Sequence, residues 1–235
     1  MQTEFYGTGS MVSSREAFSK VESTFDRHAH VIALPPLFSS TLLSNPQWIG
    51  FTIARHKFVG KMFEGMENVL EVGCWEGMGS VFVAQYVKHL TSIDFYIPFI
   101  TAAQKCVLPH VNNIDFIGHD IMDGAPALNK FDGAFSLDFL EHIDKDQEDL
   151  FIGNISNSLS AYGVLIIGSP ALESQMYAGV GSRRTHINCK TSDQLSALCK
   201  KFFSNVFMFG MNDEVLHTGF GALRHYNLAL CTSRI

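Results

Sequence analysis

From residue 68 onward, short apolar runs alternate with stretches in which apolar residues recur every three or four positions. The runs suit strands buried on both faces and the wider spacing suits amphipathic helices, so the pattern predicts a parallel sheet covered by helices. About seven strands are expected, at 69–73, 90–95, 114–118, 131–137, 163–168, 206–209 and 225–231. Helical spacing marks 79–89 and 145–159, and 191–200 opens on Thr191, a residue suited to an N-cap. The last two strands are joined by 210–224, which is glycine-rich and too short for a comfortable crossover helix, so an antiparallel terminal pair is expected. Residues 1–67 contain Pro35-Pro36 and Asn45-Pro46, which break the segment into short pieces. A helical lid or cap over a domain at 68–235 follows.

Composition narrows the class. The chain has 235 residues, 46% of them apolar and 17% charged, with no long stretch free of polar side chains. That describes a globular domain with a real core and argues against disorder and membrane spans. The first twenty residues include acids and no apolar block of the length a secretion signal needs, so a cytoplasmic protein is expected. Cys74, Cys106, Cys189, Cys199 and Cys231 are scattered and odd in number, with no zinc-like spacing. They read as reduced thiols, mostly buried, and no metal site is apparent. A formal net charge of −6, without a run of Lys or Arg, disfavours large nucleic-acid partners.

The most informative segment is Val69-Leu70-Glu71-Val72-Gly73-Cys74-Trp75-Glu76-Gly77-Met78-Gly79-Ser80, an apolar strand running into a glycine-rich turn and then a helix. Such a turn lets backbone approach a ligand closely, and N–H groups at the helix start can receive an anion. Asp94, followed by Phe95, ends the second predicted strand, where a carboxylate can accept both hydroxyl hydrogens of a ribose. A nucleoside ligand is expected.

Three further segments fall in order. Gly118-His119-Asp120 closes the third strand with an acid, 131–143 forms the fourth strand and its loop, and 163–168 forms the fifth. With the glycine turn and the antiparallel last strand, residues 68–235 resemble the class I S-adenosylmethionine-dependent methyltransferases. The resemblance implies a Rossmann-like α/β fold: a seven-stranded sheet, mostly parallel with an antiparallel terminal strand, flanked by helices. S-adenosylmethionine is the implied cofactor. Glu71 and Gly73 would line its methionine portion, Asp94 would hold the ribose with Phe95 beside it, and Asp120 would bond the adenine amine next to Ile121. Leu137 and Asp138 would flank the amino group. One departure stands out: the family's usual middle glycine is Trp75, between Gly73 and Gly77. The indole must either turn away from the cofactor or wall it. A nicotinamide cofactor fits less well, because the glycines at 73, 77 and 79 lack the spacing that brings a helix start against a pyrophosphate.

Methyl transfer is an in-line displacement that needs alignment and shelter from water, and a base only when a hydroxyl attacks. His142 and His186, in the loops after the fourth and fifth strands, are the leading base candidates. Asp138, Glu141, Tyr177, Asn188, Asp213, Glu214 and His217 lie in the same group of loops. Arg183-Arg184 raises the reading of an anionic acceptor. Before the first strand, Phe25, His28, His30, Trp48, Phe51, Arg55 and Lys57 suit a lid, and Arg55 is placed to reach the cofactor carboxylate. The expected activity is methylation of a small-molecule acceptor, oxygen slightly ahead of nitrogen. The alternatives are an RNA or protein methyltransferase and a noncatalytic cofactor-binding scaffold.

Overall fold

The computed structural model describes residues 33–126 and 130–235, and Leu34–Ile235 forms one compact unit. Its elements run α1 Pro36–Ser44, α2 Pro46–Met62, β1 Asn68–Val72, α3 Met78–Ala84, β2 His89–Asp94, α4 Ile97–Cys106, β3 Ile114–Gly118 and β4 Phe131–Leu137. They continue with α5 Glu148–Ser158, β5 Leu159–Pro170, α6 Val180–Thr185, α7 Ser192–Cys199, β6 Phe203–Asn212, β7 Val215–His217 and β8 Tyr226–Arg234. Proline opens both α1 and α2, where its missing N–H costs nothing. Thr191 caps α7 in a full capping box with Gln194, as its position predicts.

One sheet has the order β3-β2-β1-β4-β5-β8-β6-β7. The first five strands are parallel, and β8 runs antiparallel to both β5 and β6, as expected for the terminal pair. The sheet has eight strands rather than seven. The extra one, β7, pairs antiparallel with β6 inside the segment read as a loop, because Asp213 adopts φ 53° and turns the chain tightly after Asn212. The helix expected over 79–89 is also shorter and ends at Ala84.

Successive residues of β5 alternate faces: Leu165 and Ile167 enter one core cluster and Ile166 the other. Phe58, Val59 and Phe63 of the α2 region, with Val83 and Ile100, cover one face. Phe151, Ile152 and Ile155 of α5, with Leu195 and Leu198 of α7, cover the other. Cys74, Cys199 and Cys231 are buried and free, whereas Cys106 and Cys189 are partly exposed. No helix among the described residues is long and apolar enough to cross a membrane.

The strand order reverses between β1 and β4, which opens a crevice at the carboxyl ends of the strands. Beyond β5 the chain makes an excursion from Ala171 to Lys190, whose ends pair as an isolated parallel bridge. Lys190 is buried there, 2.5 Å from Glu148 Oε2 and 3.0 Å from Asn188 Oδ1.

Candidate functional site

The turn after β1 is built from left-handed backbone: Gly73 has φ 83°, Trp75 φ 50° and Gly77 φ 77°. The N–H groups of Gly73 and Cys74 both donate to the Ile93 carbonyl, which ties the turn to β2. A Cβ at Gly73 would sit 2.5 Å from the Phe139 ring, so the position needs glycine on two counts. Two residues before Gly73, Glu71 is buried and accepts from Ser80 Oγ at 2.5 Å and Ser92 Oγ at 2.6 Å. His56 Nε2 lies 3.5 Å away. These donors meet the need of a carboxylate held in an apolar strand, where an unpaired one would be costly to bury.

Asp94, at the end of β2, accepts the backbone N–H groups of Trp75 at 3.1 Å and Tyr96 at 2.9 Å. Burial raises its pKa above the usual aspartate value, the two N–H bonds work against that rise, and Glu71 and Asp120 add to it. Asp120 caps the short turn Ile121–Asp123 by accepting from Met122 N–H at 2.9 Å. Both acids line a single cavity of about 970 Å³.

Trp75 walls that cavity rather than filling it. Its indole packs edge-on against Trp48 of α2, with centroids 5.7 Å apart, and against Phe99 of α4 at 6.3 Å. Beside it, buried Glu76 accepts the N–H groups of Leu37 at 3.1 Å and Phe38 at 2.8 Å, capping α1 from the glycine turn. Deeper in, Arg55 Nη1 donates to both oxygens of Asp138 at 2.9 Å, and its guanidinium lies 3.8 Å over the Tyr226 ring. Asp138 has φ 55°, and the Tyr226 hydroxyl accepts its N–H at 3.1 Å.

At the opposite end, the turn Leu140–His142 after β4 meets the excursion after β5. Ile187 and Asn188 N–H groups both donate to the Glu141 carbonyl, at 2.8 and 3.0 Å. Glu141 is 1% exposed, and its Oε2 has no hydrogen-bond partner among the described residues. The His142 and His186 rings meet edge-on at 5.2 Å. Burial, and then the nearby His142, lower the His186 pKa below the usual histidine value, which favours its neutral form at pH 7. Ligand atoms of Glu141, His142 and His186 all lie within 4.8 Å of one another.

Of the residues singled out from the sequence, Arg55, Glu71, Gly73, Trp75, Asp94, Phe95, Asp120, Leu137, Asp138, His142 and His186 line this one cavity. Gly77 does not: a Cβ there would strike Phe116 and Ala103, so its role is to let the turn pack. Ile121 is 2% exposed and lies in the core beneath the site. Arg183 and Arg184 are exposed on α6 and stand apart from the lining. Asn188 is buried and bonds Glu148, while Asp213, Glu214 and His217 belong to the β6–β7 hairpin. Phe25, His28 and His30 lie outside the described residues. The lining carries Glu71, Asp94, Asp120, Asp138, Glu141 and Asp144 against Arg55, the one lysine or arginine among the described residues there. Sequence reading missed Glu76 and the convergence on Glu141, since partners dozens of residues apart leave no local periodic signal.

Residues 69–163 match the family model of a methyltransferase domain. No curated protein matches the sequence closely enough to count as a relative. Among solved structures, the chain is similar to the N-methyltransferase NodS from Bradyrhizobium japonicum WM9 in complex with S-adenosyl-L-homocysteine. That match has 20% identity and a TM-score of 0.59, over 82% of this chain and 90% of that one. It is also similar to the methyltransferase domain of bacterial CtHen1, with 13% identity and a TM-score of 0.65 over 77% and 98% of the two chains. A third similar structure is the plantazolicin methyltransferase BpumL in complex with S-adenosyl-homocysteine, with 15% identity and a TM-score of 0.61 over 83% and 88%.

Proposed function

We propose that this chain, which its matched domain and its fold make a class I S-adenosylmethionine-dependent methyltransferase, methylates an oxygen of a small acceptor in the cavity at the β1/β4 reversal. The observation that carries the reading is the arrangement along that cavity. Asp94 lies at the carboxyl end of β2, the bare backbone of Gly73 lies between, and the polar group Glu141, His142 and His186 faces the same space.

The residues present fit the cofactor. A space of about 970 Å³ is ample for a nucleoside and a small partner, and the Gly73 turn leaves no side chain in the way. Asp94 would take the ribose hydroxyls, Asp120 the adenine amine, and Asp138 with Leu137 the amino acid end. Arg55 would orient that end through Asp138, and the indole of Trp75 would close one wall. When bound, S-adenosylmethionine supplies an electrophilic methyl group on a sulfonium, open to in-line attack. The remaining work is alignment and exclusion of water, which α1 and α2 would serve as a lid over the glycine turn.

The lining favours a neutral or cationic acceptor over an anionic one, because acids outnumber the single arginine. It also speaks for a small molecule ahead of RNA. A hydroxyl acceptor is preferred because it benefits from the polar group after β4, whereas a neutral amine attacks without such help.

Calorimetry with S-adenosylmethionine tests the reading. The full chain should bind it, and Asp94→Ala should weaken binding about tenfold to a hundredfold, the worth of one charge-assisted hydrogen-bonding group. Formation of S-adenosylhomocysteine with small alcohols and phenols, amines and RNA then ranks the acceptor classes. No binding at millimolar cofactor would remove the methyltransferase reading, binding without turnover of any acceptor class would favour the noncatalytic scaffold, and turnover confined to amines or RNA would remove the oxygen or small-molecule assignment.

A further inference from the structure

We propose that Glu141, His142 and His186 form a binding site for a divalent cation of the manganese-to-zinc series. Their ligand atoms lie within 4.8 Å of one another, and a central ion at about 2.1 Å would draw them in to about 3–4 Å. All three residues line the cavity.

The state of each donor supports the assignment. His142 Nδ1 lies 3.0 Å from the Thr185 carbonyl, which can only accept, so Nδ1 carries the proton and Nε2 keeps its lone pair. His186 Nδ1 meets Gln175 Oε1 at 3.0 Å and is fixed in the same tautomer. Outer hydrogen bonds of this kind orient metal-binding imidazoles. Glu141 supplies the charge. It is 1% exposed with Oε2 unpartnered, and the nearest guanidinium, that of Arg55, is bonded to Asp138. A carboxylate buried without a counter-charge is costly, and a cation between it and the two imidazoles removes the deficit.

The group is also held rigidly. The Glu141 carbonyl takes two N–H bonds from residues 187 and 188, which locks the turn after β4 against the stretch carrying His186. Two imidazoles and one carboxylate suit Mn²⁺, Fe²⁺, Co²⁺ or Zn²⁺ better than Ca²⁺ or Mg²⁺, which prefer oxygen donors. Three protein ligands leave positions open toward the cavity.

Resting on the proposed methyl transfer, the site would take the acceptor hydroxyl and lower its pKa. Its proton passes to water, the oxygen–methyl bond forms as the sulfur–methyl bond breaks, and S-adenosylhomocysteine leaves as a neutral thioether. His142 and His186 are then ligands rather than general bases.

Titration of the chelator-treated full chain with Co²⁺, followed by visible absorption and calorimetry, tests the site. One bound ion per chain with ligand-field bands is expected. Glu141→Gln and His186→Ala should each weaken binding at least about a hundredfold, more than loss of an outer-shell partner does, while circular dichroism reports an intact fold. S-adenosylmethionine affinity is measured on the same samples. Cofactor binding without Co²⁺ or Mn²⁺ binding by the wild-type chain overturns the cation site and leaves the methyltransferase reading intact. Co²⁺ binding without cofactor binding does the reverse. Folded variants that bind Co²⁺ as tightly as wild type also overturn it.

Discussion

The carboxylate of Glu76 accepts the backbone N–H of Phe38 at 2.8 Å, joining the glycine turn to the first turn of α1 across thirty-eight positions of chain. Pro35, the N-cap of α1, offers no side-chain bond, so the helix start depends on this distant acid. Replacing Glu76 by Ala removes a charge-assisted cap and strands two N–H groups, at a cost of about 2 kcal/mol. Thermal melting should fall by about 4–8 °C for a domain of this size. Calorimetry should show weaker cofactor binding, because the turn and its cover loosen together. An unchanged melt would mean that α1 is held by packing alone.

As the proposed ribose ligand, Asp94 should make cofactor binding sensitive to acid. Only the ionised carboxylate can accept from both ribose hydroxyls, and burial raises the pH at which it ionises. Affinity should therefore be full above that raised pKa and decline as pH falls through it, earlier than for an ordinary aspartate. In the folded chain without cofactor the sign is opposite: a raised acid pKa means that the charged form opposes folding above it. Binding isotherms taken from neutral pH down to the acid limit of the fold should show the decline, and Asp94→Asn should flatten it at low affinity throughout. A wild-type profile as flat as that variant's would remove Asp94 from the ribose.

The parts of this architecture written in nearby residues were legible in the chain. Apolar runs announced β1 to β6 and β8, Thr191 announced a cap, and acids at strand ends pointed to the cavity that Asp94 and Asp120 line, because each depends on neighbours within one element. Ile121 was read as a contact from its place beside Asp120, and its side chain joins the core cluster directly beneath the site. The β7 hairpin went unseen because it depends on a non-glycine residue, Asp213, entering left-handed backbone. Glu141 and His186 meet only through the crossover between β4 and β5, which no spacing in the sequence encodes.

Gly79 permits the close approach of α2 to α3: a Cβ there would overlap the His56 ring. His56 is itself fixed, with Nδ1 donating to the Thr52 carbonyl at 2.8 Å, so it cannot simply swing aside. Gly79→Ala should displace α2 and cost about 1–3 kcal/mol as an overpacked contact. Chemical denaturation would measure the loss. Stability equal to wild type would show that the two helices separate freely.

Lys190 supplies the sharpest stability prediction. The residue is 4% exposed and its ammonium is bonded to Glu148 and Asn188, so Lys190→Met leaves a carboxylate without its counter-charge. The loss should reach about 3–5 kcal/mol. The double variant Lys190→Met with Glu148→Leu should recover part of it. Failure of the second change to restore any stability would point to packing rather than charge.

The bridge between Ala171 and Lys190 gives the excursion that carries His186 a closed neck, anchored independently of what lies along it. Asp94 and Asp120, the acids proposed to hold the nucleoside, follow β2 and β3, outside that neck. The stretch is therefore a natural cassette: its length and side chains can be exchanged to re-aim the enzyme at a different acceptor while the nucleoside grip is left untouched.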